Sequence, residues 1–131
     1  MNLTKILAIS GKPGLYRLET QTRTGFLATS LVDDKRISVG IRNNVSLLSE
    51  IAIYTTEKEI PLSEVFEKIK TLEEGKETRV SAKADGATLE VYFAEVLPEY
   101  DRDRVYTSDI KKVIQWYNLL LSKNLLTNDN D

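Results

Sequence analysis

The stretch Pro98 to Leu121, PEYDRDRVYTSDIKKVIQWYNLLL, concentrates the side chains best suited to specific contacts. Tyr100, Tyr106 and Tyr117 are interleaved with Asp101, Arg102, Asp103 and Arg104, and the single tryptophan, Trp116, follows. Glu99, Asp101, Asp103 and Asp109 offer the oxygen ligands that Mg²⁺ or Ca²⁺ takes. Their spacing does not match an EF-hand loop, which needs a glycine at its sixth position and a glutamate at its twelfth. Arg102 and Arg104 would also repel a cation placed among those acids. Arg–carboxylate pairs that order the loop are therefore the preferred reading, since the planar guanidinium fork suits them. The same loop can instead meet a partner, with Tyr100, Tyr106 and Arg104 as anchors of the kind interfaces favour. Arg102 and Trp116 complete this candidate partner-binding set.

A second candidate, Ser10-Gly-Lys-Pro-Gly14, has the flavour of a phosphate loop. It lacks the Gly-Lys-Ser/Thr ending, the spacing and the strand–loop–helix context of one. Lys12-Pro13-Gly14 reads better as a type II turn, with proline at the second position and glycine at the third. Tyr16, Phe26 and Tyr54 stand near Arg17, Arg23 and Arg42. On an exposed face they would make a stacking surface for single-stranded nucleic acid or a peptide. Aromatics in a small β lobe are more often core.

Composition removes other chemistry. The chain has no cysteine and no histidine. Disulfides, thiolate nucleophiles and Cys-based zinc sites are excluded, and so is a Ser-His-Asp triad within the chain. Catalysis would rest on carboxylates, Lys, Tyr or Ser, and neither a cofactor nor a metal centre is expected. Net charge is −2, distributed as +3 over residues 1–55 and −5 over residues 56–131. The basic excess is too dilute to be a nucleic-acid footprint by itself. No run approaches the roughly 20 apolar residues of a membrane helix. The apolar run Ile6 to Ile9 is shorter than a secretory core of about 7–15 residues. A cytoplasmic location without a membrane partner is the expectation.

Two lobes should position these residues. Over 14–55, Leu15-Tyr-Arg-Leu-Glu-Thr-Gln-Thr, Phe26 to Val32 and Arg36 to Ile41 read as strands, with Ile37, Val39 and Ile41 on one face. Asp33-Asp34 and Asn43-Asn44 are turns. Val45 to Glu50 can make a helical turn before a last strand, Ile51 to Thr55. Short, closely spaced strands predict a small SH3-like barrel over 1–56, with a partly open sheet packed on the second lobe as the alternative.

From Ile60 the period becomes helical. Leu62, Val65, Phe66, Ile69 and Leu72 make the first stripe, started by Pro61 and stopped by Gly75. Residues 76–85 read as a polar loop. Leu89, Tyr92, Phe93, Val96 and Leu97 make a second stripe, although Asp85-Gly86 also permits a hairpin. The third helix, capped by Thr107 or Ser108 with Asp109 at its positive end, presents Ile110, Val113, Ile114, Tyr117, Leu120 and Leu121 over about 120°. Trp116 and Leu119 fall outside that arc, beside Lys112. This surplus can dock on the β lobe, the simpler reading, or form a homodimer patch. The three-helix lobe spans 57–126, and 127–131 is a polar, flexible tail.

The strings ILAISGKPGLY (Ile6 to Tyr16) and LPEYDRDRVYTSDIKKVIQWYNLL (Leu97 to Leu120) resemble those of a family of small Bacteroidetes proteins, a domain-of-unknown-function family. The resemblance extends from Leu3 to about Leu121. It implies a bacterial protein with a β N-terminal part and a helical C-terminal part, and it assigns no activity, cofactor or site residue. The chain as a whole is expected to be α+β, an SH3-like β-barrel lobe followed by a three-helix lobe. The expected function is that of a non-catalytic binding or adaptor module for a protein partner. Two rivals are a nucleic-acid-associated protein using the basic β lobe and a metal-assisted hydrolase using Asp101, Asp103 and Asp109.

Overall fold

Threonine, aromatic and β-branched residues recur through the first third of the chain, and the segments that carry them pair into one antiparallel sheet. Its strands are β1 (Ile6–Ile9), β2 (Tyr16–Thr22), β3 (Gly25–Ser30), β4 (Arg36–Gly40) and β5 (Val45–Leu47). They lie in the order β4-β3-β2-β1-β5. The computed structural model describes residues 3–12, 14–40 and 44–126. Pro13 of the expected type II turn, Ile41, Arg42 and Asn43, and the tail 127–131 lie outside the described residues.

Three details of the β region differ from expectation. The sheet is open, because β4 and β5 stay at opposite edges and do not close a barrel. Val45–Leu47 is strand, and only Leu48–Glu50 makes a 3₁₀ turn. The expected last strand leaves the sheet. As β6 (Ala52–Tyr54) it pairs with β7 (Glu59–Pro61) in a separate two-stranded ribbon. Thr55 decides this locally. Its hydroxyl accepts from the Lys58 amide at 3.0 Å and donates to the Lys58 carbonyl at 2.7 Å, reversing the chain within four residues.

Strand alternation splits the sheet into two apolar faces. Leu7 and Ile9 of β1 join Tyr16, Ala28 and Val39 in one cluster. Ile6 and Ala8 face the other way, into the main core. That core also holds Leu3, Leu15, Leu31 and Leu48 together with the buried faces of all three helices, so the β and helical parts share it. β3 approaches β4 so closely at Gly25 that a Cβ there would stand 1.8 Å from the Val39 carbonyl oxygen.

The helices follow their apolar stripes. They are α1 (Leu62–Leu72), α2 (Gly86–Val96) and α3 (Thr107–Ser122). Asp85 starts α2 by accepting the Thr88 amide at 2.8 Å, which settles the helix over the hairpin. The cap of α3 differs from expectation. Tyr106 is the N-cap residue, and the Asp109 carboxylate accepts its backbone N–H at 2.9 Å. Asp109 is thus the third helical residue reaching back, the acidic half of a capping box.

The polar segment after α1 is fastened from within. The Glu73 side chain is 6% exposed, and its carboxylate accepts from the Tyr92 hydroxyl at 2.6 Å, the Arg79 amide at 2.9 Å and the Arg79 Nε at 3.3 Å. Burial alone would raise its pKa, but the bonds from Tyr92 and Arg79 outweigh that and hold it below the usual carboxylate value. Tyr117 donates to the Lys76 carbonyl at 2.8 Å, and Asn118 exchanges hydrogen bonds with Thr78. A Glu73→Gln variant should lose about 1.5–3 kcal/mol, as expected for hydrogen bonds to a buried charge. The sign with pH follows from the lowered pKa. Glu73 contributes fully above its unfolded value of 4.5 and loses that contribution as pH falls through the lower folded value. Thermal melts of both proteins from pH 7 to pH 3 should therefore converge on acidification.

Candidate functional site

The floor of the candidate site is set by small side chains. Ala8 and Ser46 stand opposite each other across β1 and β5, on the sheet face that looks toward the helices. With Ser10 and Ala52 nearby, they leave the space between sheet and α3 unfilled. The result is a cleft of about 620 Å³. Ile51, Ile53, Leu62, Val105 and Val113 make its apolar part. Its volume lies within the range of ligand pockets, about 300–1,000 Å³.

Helix α3 supplies one wall. Asp109, Lys112, Val113 and Trp116 line the cleft, at helical positions i, i+3, i+4 and i+7. This stripe adjoins the buried face of Ile110, Ile114, Tyr117 and Leu120, which anchors the helix. The turn after β1 brings Gly11, Lys12 and Gly14 to the rim. Gly14 has φ +77°, and a Cβ there would lie 2.8 Å from Val32 Cγ2 and 4.0 Å from Leu119 Cδ2. The close neighbour is the Val32 side chain after β3, and the positive φ favours glycine at this position. Trp116 and Leu119, the apolar surplus of α3, both pack on the main core, with Trp116 turned toward the sheet.

Arg104 is also part of the cleft lining. Its guanidinium lies over the Tyr54 ring, 4.5 Å from the centroid, and its Nε donates to Asp101 Oδ2 at 3.0 Å. The other Asp101 oxygen accepts the Asp103 amide at 2.9 Å. That amide first, and Arg104 second, hold the Asp101 carboxyl below its usual pKa. Clamped by a ring and a carboxylate, Arg104 keeps its two Nη groups without a hydrogen-bond partner among the described residues. Lys12 and Lys112 likewise have no carboxylate partner among the described residues. Among the described residues the one acid lining the cleft, Asp109, already binds the Tyr106 amide.

The sequence-derived contact set is dispersed by the fold. Arg104 and Trp116 line the cleft. Tyr100 is 1% exposed and packs edge-on against Phe93 at 5.0 Å, so it is core and not a surface anchor. The reason is its bridge to Thr55, which draws the 99–101 segment against β6. Arg102 covers the Tyr100 ring at 4.6 Å from its centroid, and Tyr106 is exposed outside the cleft. Of the candidate stacking surface on the β part, Tyr16 is buried, Phe26 is half-buried against the same apolar cluster, and Arg17 and Arg23 are exposed; Arg42 lies outside the described residues. The oxygens of Asp101 and Asp109 are engaged in turn and cap bonds. Among the described residues no group of three or more acids could hold a metal ion. No helix among them is long and apolar enough to cross a membrane.

Sequence reasoning missed Ala8, Ser46 and Ala52, which come together only through strand pairing and the sheet–helix contact, and it read Lys12 as part of a turn without placing it at a site. The i, i+4 pair Lys112 and Trp116 was the one local sign, since it borders the apolar arc of α3.

The family model described as a domain of unknown function (DUF6852) matches residues 51–120. The chain belongs to that family. A second domain of unknown function (DUF5606) matches residues 3–48. The chain is also similar to a Bacteroides vulgatus protein whose solution NMR structure was determined by the Northeast Structural Genomics Consortium. The two share 43% identity over 97% of this chain and 90% of that one, with a TM-score of 0.80. No curated protein matches. The resemblance to an uncharacterised Bacteroidetes domain family is thereby met. The cleft draws Ala8, Ser10 and Ser46 from the first matched region and Ala52, Arg104 and Trp116 from the second, so this family member carries it at their junction.

The placement of Tyr100 has a direct consequence. Its hydroxyl is buried with no hydrogen-bond partner among the described residues, and burial raises its pKa. Tyr100→Phe removes an unpaired polar group and should be neutral or stabilising by about 1 kcal/mol. Tyr100→Ala should cost about 3–5 kcal/mol, as loss of a buried aromatic does. Denaturant titration of both variants distinguishes this core role from a surface role, in which neither change would alter stability.

Proposed function

We propose that this protein is a non-catalytic binding module that holds a partner protein in the cleft between its sheet and α3. The observation that carries this reading is the fixed Arg104 guanidinium in the lining of a partly apolar cleft with Trp116 on its wall. Aromatic and arginine side chains dominate binding energy where they are held rigid, because little entropy is then lost on contact. The groups that could do acid–base work there, Asp101 and Asp109, are instead committed to holding Arg104 and starting α3. The position of the cleft at the junction of two structural parts is also typical of binding sites.

An SH3-like ancestry for the β lobe is part of the proposal. In its support, β1 is flanked by both β2 and β5, and a 3₁₀ turn follows β5. Bending β4 toward β5 would close such a sheet. A cytoplasmic location is the accompanying reading, in keeping with a chain free of cysteine.

Affinity capture from the native cell, with and without nuclease, followed by mass spectrometry, tests the function. The expected result is a protein captured equally well after nuclease and lost with Arg104→Gln or Lys112→Glu. Both side chains are exposed, so both variants should fold as the parent does. Capture abolished by nuclease would point to nucleic acid. Capture indifferent to both substitutions would remove the cleft from the interface.

A further inference from the structure

The charge of the cleft and its backbone define what it accepts. Among the described residues Arg104, Lys12 and Lys112 line it against one carboxylate, Asp109, whose Oδ2 already accepts the Tyr106 amide. Asp101 pairs with Arg104 through Nε, and among the described residues Lys12 and Lys112 have no carboxylate partner, so the described lining keeps an excess of positive charge. The Nη edge of Arg104 is the best-fixed donor, since Asp101 occupies only its Nε and Tyr54 supports its plane. Arginine held in this way suits a carboxylate bound by two parallel hydrogen bonds.

The second feature is an open strand edge. β6 bonds β7 through alternate residues: Ile51 O accepts from Leu62 N at 2.9 Å, and Thr55 N donates to Lys58 O at 2.8 Å. The residues between them turn their backbone groups the other way. Tyr54 O accepts from Asp101 N at 2.9 Å, and Thr56 N donates to Glu99 O at 3.0 Å. Ala52 is next in this outward row. It lines the cleft, and its outward backbone groups have no partner among the described residues. The 99–101 segment thus occupies one end of the edge and leaves the Ala52 end facing the cavity. An extended chain can add there through main-chain hydrogen bonds, while its alternate side chains enter the space around it.

We propose that the cleft receives an extended, acidic segment of a partner protein, which pairs with the Ala52 edge of β6, places a carboxylate on Arg104 and sets an apolar side chain against Trp116 and Val113. This inference rests on the binding-module reading and specifies its ligand. Lys112 and Lys12 add long-range attraction at the rim, which speeds encounter and favours acidic over basic partners.

The test uses isotope-labelled full-length protein and three blocked peptides, Ac-Glu-Val-Glu-Leu-Glu-Val-NH₂ and its Gln-for-Glu and Lys-for-Glu counterparts, followed by NMR. The acidic peptide should shift the Ala52 amide, the Trp116 indole and the Gly11 and Gly14 amides. Arg104→Gln should weaken it about tenfold, and added salt should weaken it further. Tyr106→Ser, a change outside the cleft, should leave it unaltered. Equal binding of the Gln peptide would overturn the acidic specificity and leave the cleft as a binding site. Shifts confined to residues outside the cleft, or none from any peptide at millimolar concentration, would overturn both readings.

Discussion

Helix α3 is held by one face and lines the cleft with the next, and the architecture follows from that division. Ile110, Ile114, Tyr117 and Leu120 are fully buried against the other helices and the sheet. Burial of each such side chain is worth about 1.5–3 kcal/mol, so the rotation of the helix about its axis is fixed. The adjoining stripe, with Lys112 and Trp116, must then look toward the sheet whether or not the sheet can fill the gap. Ala8, Ser10 and Ser46 are too small to fill it. A cavity persists at the margin of the main core, where Ile53, Leu62, Val105 and Val113 form its apolar wall and no larger side chain reaches across from the sheet.

The Tyr/Arg/Asp bend takes its meaning from this frame. Thr55 and Tyr100 tie it to β6, the edge-on Phe93 contact seats the ring, and Asp101 then directs Arg104 over Tyr54. An exposed ion pair of this kind contributes little to stability. Its effect is positional: it fixes a guanidinium that would otherwise sample many rotamers, and a group held in this way has less entropy to lose in any contact. The paired charges that look in sequence like a metal-binding cluster are a device for orienting one arginine.

Local patterns were legible, and long-range ones were not. The stripes Leu62–Leu72 and Ile110–Leu121 declare their helices because burial selects a 3.6-residue period. The family resemblance was likewise visible in the strings around Lys12 and Arg104. Tyr100 misleads because its neighbours in sequence are charged, while its neighbours in space are Phe93 and Thr55. β7 is hidden because Glu59 and Ile60 precede a helix and pair only once Thr55 has turned the chain. The floor of the cleft is a pattern of small residues from β1, β5 and β6, and smallness has no period to detect. Lys12 and Lys112 meet the same cavity from opposite ends of the chain.

The central claim is that this cleft is both genuinely unfilled and functionally occupied, and a Ser46→Phe variant tests the two halves together. Ser46 is an exposed strand residue lining the space, so a phenyl ring can enter without displacing the core and with good strand propensity. Thermal melting and partner capture should be measured on the same preparation. The account predicts an unchanged or raised melting temperature together with loss of capture. A marked fall in melting temperature, or capture equal to that of the parent protein, would contradict it.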